Sequence, residues 1–151
     1  MRTLGNILWH FPFLGFINAA VTFLLGAILS ATVVAAPVGL GLMQLGKLFL
    51  VPFGNEMVAS AKAMPDKEAN PAWAAYSSIV MIVWLPIGFI LAALTVLQVV
   101  GLFLTIIGIP AAAALAKSIG TLFNPVGKVC VSTAMAEEIR RQEAQARLAA
   151  L

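Results

Sequence analysis

Charge is what this chain has least of. Asp, Glu, Lys and Arg make up 10% of its 151 residues against 62% hydrophobic ones, where a soluble domain carries about 25% charged residues. Six acidic and nine basic side chains cannot cover a water-soluble globule of this size, so the composition excludes one and implies a lipid solvent. A single histidine, His10, and a single cysteine, Cys130, exclude an internal disulfide and a metal cluster at ligand spacing. They also leave no nucleophile, base and orienting acid to assemble, because every carboxylate falls in a connector or in the tail. No catalytic residue, metal or cofactor is therefore expected. Cys130 reads as a small apolar filler, and His10, between Trp9 and Phe11, as an interfacial side chain.

The few charges are also unevenly placed. None occurs between Arg2 and Lys47, nor between Glu68 and Lys117, which leaves two charge-free blocks, Thr3–Gly46 and Ala69–Ala116. As single helices these would be roughly 65–70 Å long, about twice the hydrocarbon thickness of a bilayer. Each block must cross and then turn. The first is too long for a signal-peptide core, and its pattern recurs later in the chain, so it reads as structural. The net charge of +3 and the pI near 9.4 arise beside the apolar blocks, which suits anionic lipid and gives no footing for nucleic acid.

Sliding the sequence along itself until Gly15 meets Gly88 aligns Gly15–Val58 with Gly88–Val131 without a gap and yields fourteen identities. Thr32/Thr105, Pro37/Pro110, Pro52/Pro125 and Gly54/Gly127 coincide, and shared composition alone does not place such punctuating residues at one offset. An all-α integral membrane domain of two tandem repeats is expected over residues 1–151. Its parts are repeat 1 at about 6–58, a connector at 59–78, repeat 2 at about 79–131 and a cytoplasmic C-terminal helical tail at 132–151.

Each repeat reads as a long apolar helix, Phe13 to Ala36 or Pro86 to Ile109, ended by Pro37 or Pro110. Proline lacks the amide that would continue a helix yet suits the first turn of a new one. The restarted arms, Val38–Val51 and Ala111–Asn124, reach roughly 20 Å and cannot span alone. Each carries a lysine, Lys47 or Lys117, costly at mid-bilayer unless it snorkels or faces water or protein. The arms are therefore re-entrant, making the repeats parallel, or interfacial, making them inverted. Both choices put the N- and C-termini on the cytoplasmic side, and the positive-inside bias favours the re-entrant one.

Trp9, Trp73 and Trp84 suit interfacial anchors. The connector from Asn55 to Ser78 reads as a helical turn plus solvated loop, and the tail as a solvated helix with Glu137/Arg141 and Glu143/Arg147 at i, i+4. Asn18 and Gln98 suit hydrogen bonds between helices, and small residues four apart suit close packing and a homo-oligomer. A pathway or broken-helix site would comprise Thr32, Pro37, Lys47, Thr105, Pro110 and Lys117, since a helix starting inside the membrane presents free amides and a positive dipole end. The alternative is that those amides are capped locally by the threonines or by neighbouring helices.

The motifs Gly5-Asn6-Ile7-Leu8-Trp9, Lys47-Leu48-Phe49-Leu50-Val51-Pro52-Phe53-Gly54-Asn55-Glu56, Ile107-Gly108-Ile109-Pro110 and Asn124-Pro125-Val126-Gly127-Lys128 resemble the bacterial YccF-type inner-membrane component domain over most of the chain. The resemblance implies a small helical domain in the bacterial inner membrane and carries no reaction with it. The duplicated broken helices and the lysines in short arms point first to an oligomeric channel or transport-related protein for small ions; the alternative is a non-transporting structural or regulatory module that binds a protein partner through its connector or tail.

Overall fold

A computed structural model describes residues 2–64 and 70–150. Helix α1 (Arg2–His10) meets α2 (Gly15–Ala31) at a 77° bend. The apolar run expected to be helical from Phe13 therefore starts at Gly15, because Pro12 and a left-handed Leu14 (φ 54°) break it. At its far end α2 stops at Ala31, and α3 (Ala36–Leu50) returns antiparallel along it. Their glycines let the two backbones meet. A methyl group on Gly26 would lie 2.6 Å from the Gly39 carbonyl oxygen, and one on Gly46 would lie 2.8 Å from Phe23 Cβ. Ser30 Oγ, at the same crossing, donates to Gly26 O at 2.8 Å. The first arm is thus a fold-back, and α3 is the most buried helix of the chain. Val38, Leu42, Leu45 and Phe49, at i, i+4, i+7 and i+11, form a core stripe with Leu48, Trp9, Ala111 and Ala114.

The second long helix, α5, runs from Pro71 to Phe103. It begins fifteen residues before the expected Pro86, which lies inside it. Asn70 explains the early start: its side-chain oxygen accepts from Ala72 N and Trp73 N, and Pro71 occupies the first turn. The second arm follows a 3-10 turn (Ile106–Gly108) and is itself broken into α6 (Ile109–Ala116) and α7 (Ile119–Phe123). Ser118 at the break is buried and donates from Oγ to Leu115 O at 2.7 Å.

The purely helical expectation is corrected at the ends of both arms. The connector and the second arm's exit form strands β1 (Asn55–Ala59) and β2 (Lys128–Ser132), paired antiparallel, with short α4 (Ser60–Ala63) after β1 and long α8 (Thr133–Ala149) after β2. Met57 faces Cys130 at the centre, and the two coincide under the sequence shift that aligns Gly15 with Gly88. The flanking bonds are reciprocal: Ser60 N donates to Gly127 O at 2.7 Å and Thr133 N to Gly54 O at 3.0 Å. In this register Met57 and Cys130 form a non-hydrogen-bonded pair, so the Cys130 amide is free to leave the ladder, and Gln44 Oε1 accepts it at 3.3 Å. Five-residue strands of mixed polarity give little periodic signal, which is why the sequence pattern alone hides them.

Phe16, Val21, Leu24 and Ile28 on α2, and Ile82, Phe89, Leu94 and Leu97 on α5, are exposed. Among the described residues α5 is the one helix long and apolar enough to cross a membrane, with a mean hydropathy of 2.6 in an 18-residue window, and the bent pair α1–α2 meets the same test together.

Candidate functional site: the two helix breaks

At the first break Thr32 Oγ1 donates to Leu29 O at 2.7 Å and accepts from Ala35 N at 3.3 Å. At the second, Thr105 Oγ1 donates to Leu102 O at 2.9 Å and accepts from Gly108 N at 3.1 Å. Donor, acceptor and threonine all coincide under the repeat shift, so the two threonines do the same local capping work. Pro37 and Pro110 occupy the first turns of α3 and α6, where a missing amide leaves nothing unsatisfied. Tyr76 adds a contact at the first break, its hydroxyl lying 2.7 and 2.6 Å from Val33 O and Val34 O.

The two lysines are not equivalent. Lys117 Nζ donates to Pro52 O at 2.7 Å and to Asn55 O at 3.3 Å, and sits 5.9 Å from the centre of the Phe53 ring. It braces the exit of the other arm. Its counterpart under the repeat shift is Gln44, which also reaches across to the opposite strand. Burial raises the pKa of the Cys130 thiol by more than the charge of Lys47 lowers it, and Lys47 itself is exposed. The net direction is upward, so the thiol is a protonated, weakly reactive group at neutral pH.

The six residues do not converge. Tyr76 marks the first break and Leu104 adjoins the second, with most of the length of α5 between them, roughly 40 Å along the axis. The tryptophans differ as well. Trp9 is 1% exposed, not a surface anchor, and donates from Nε1 to Phe49 O at 2.7 Å. Trp84, half-buried, makes the matching bond to Leu122 O at 3.1 Å, while Trp73 is half-exposed. His10 Nε2 lies 2.9 Å from Leu50 O. No group of three or more His, Cys, Asp or Glu suited to a metal occurs among the described residues.

Charge pairing in the tail is also redirected. The i, i+4 partners expected along α8 give way to bridges back to α4 and β1, Lys62–Glu143 at 2.6 Å and Arg140–Glu56 at 2.7 Å. Sequence spacing could not find these, because they depend on β1 and β2 lying side by side.

Residues 4–55 match the family model of the YccF inner membrane component domain. The YccF match spans α1 from Leu4 onward, α2, α3 and the first residue of β1. It is a narrower stretch than the motifs suggested, with the Ile107–Pro110 and Asn124–Lys128 segments outside it. Together with the apolar α5, the YccF match supports a membrane location. No curated protein and no solved structure matches the chain.

Proposed function

We propose that this chain is a non-enzymatic, non-transporting structural module of the bacterial inner membrane, built by tandem duplication, that presents a charged cap to a protein partner. The observation that carries the reading is the commitment of the polar groups of the breaks and of the second arm to bonds within the protein. Thr32 and Thr105 cap their own turns, and Lys117 is held by two backbone oxygens. A channel would need such groups facing a common path, whereas here they lie in separate hairpins. Purified protein in liposomes should pass chloride, nitrate, potassium and sodium no faster than empty liposomes. Flux above that baseline that Lys117→Gln or Thr105→Val reduces would establish the oligomeric channel instead.

The duplication draws support from the reciprocal bonds at one shared offset, and a re-entrant, parallel arrangement from the fold-back of α3 on α2. The cap consists of the sheet, α4 and α8, joined by Lys62–Glu143 and Arg140–Glu56. Those bridges tie the connector to the tail, which supports placing residues 60–64 on the same side as the C-terminus, the cytoplasmic side in this proposal. Ala61→Cys in a Cys130→Ala background should resist a membrane-impermeant maleimide in intact cells and react after the membrane is opened. Labelling in intact cells would place the cap outside.

A further inference from the structure

Between α3, the start of α5 and the junction of β1 with α4 lies a cavity of about 400 Å³. Its polar groups are Gln44, Ser60, Ser77 and Lys128, and Trp73 and Leu40 belong to its apolar wall. Ser77 is 7% exposed, and its hydroxyl has no hydrogen-bond partner among the described residues, an arrangement that carries the full desolvation penalty of the group unless a ligand completes it. The Gln44 oxygen is taken by Cys130 N, which leaves its NH₂ as a donor. The Lys128 ammonium forms no ion pair or hydrogen bond among the described residues, and among those residues no carboxylate lines the cavity. Two hydroxyls, an amide and an ammonium make a donor-rich set, and such a set selects an anion with several acceptor oxygens.

We propose that this cavity binds the phosphate of an anionic phospholipid headgroup, with Lys128 as the charge partner and Ser77 and Gln44 as hydrogen-bond donors. A lipid is favoured over a free ion because the remaining wall is apolar, half-exposed Trp73 stands beside it, and the apolar face of α5 continues from it. Basic pockets between membrane helices hold anionic headgroups by this combination.

Comparison of the two repeats sharpens the assignment. At the equivalent positions of the other repeat, Lys117 stands in place of Gln44 and Asn55 in place of Lys128. There the Lys117 ammonium is consumed by Pro52 O and Asn55 O. The site is single although the fold is doubled.

Native mass spectrometry of the full-length protein, equilibrated with phosphatidylglycerol or phosphatidylcholine, tests the proposal. Wild type should retain phosphatidylglycerol about tenfold more strongly, a difference of about 1.4 kcal/mol. Lys128→Gln should abolish the preference, Lys128→Arg should keep most of it, and Ser77→Ala should weaken it about threefold. Arg141→Gln, on the exposed face of α8, should leave it unchanged. Equal retention of the two lipids by wild type overturns the proposal, as does a preference that survives in a folded Lys128→Gln. Should that variant fail to fold, an unaltered preference in Ser77→Ala counts against the site in the same way. Saturable, Lys128-dependent binding of inorganic phosphate without any lipid preference would assign the cavity to a free anion. Because this readout is lipid retention, its failure is distinct from ion flux in liposomes.

Discussion

Replacing Gly39 with leucine should prevent the α2–α3 hairpin from closing, whereas the same change at Gly101 or Gly120 should leave the protein folded. A Cβ at Gly39 would stand 2.5 Å from Gly26 O and from Ser30 N, whereas one at Gly101 or Gly120 meets nothing within 4 Å. The obstacles at Gly39 are backbone atoms of a facing helix and cannot swing aside as a side-chain tip would. Overpacking of a side-chain core costs about 1–3 kcal/mol, and a clash with backbone should exceed the upper end of that range. Association of helices within a bilayer depends on close van der Waals approach more than on hydrophobic drive, so the hairpin has little else to hold it. The comparison is made by the yield of monodisperse protein in detergent and by its thermal unfolding. Equal behaviour of Gly39→Leu and Gly101→Leu would reject the packing of α3 on α2.

Trp9→Ala should be the most damaging side-chain truncation, at about 3–5 kcal/mol. The indole is almost wholly enclosed, lies tilted against the Phe49 ring with centroids 5.6 Å apart and satisfies the Phe49 carbonyl at the end of α3. Gly15 lies directly beneath it, leaving no room for a Cβ there. Trp84→Ala removes the analogous bond to Leu122 O from a half-buried position and should cost less. Thermal unfolding of both variants in the same detergent settles the order. A smaller loss at Trp9 than at Trp84 would mean that the first indole is a lipid-facing anchor after all.

Much of this fold is legible in residue types with strong backbone consequences. Pro37 and Pro110 mark the starts of the arms because a ring without an amide can sit in few places, and the threonines five residues earlier announce the caps. The long apolar blocks carry the membrane setting. What stays hidden depends on residues with no local preference strong enough to declare itself. Asn70-Pro71 is a start signal for α5, yet the interior Pro86 reads as a stronger one. Leu14 enters the left-handed region without being glycine, so the α1–α2 bend has no clear signature. The lysines look paired by their position in short arms, but the repeat shift aligns Lys117 with Gln44, and their partners become visible once β1 and β2 are adjacent. Ser77 looks like any small helical residue until its surroundings are known.

The central pairing of Met57 with Cys130 has a consequence for assembly. A joint made of two strands at positions related by one sequence shift can be closed within a chain or between chains with the same hydrogen bonds. A second molecule can therefore supply β2 to the β1 of the first, exchanging whole halves while preserving every contact described at the sheet. In such an exchange the register of the sheet and its central Met57–Cys130 pair would stay as they are within one chain.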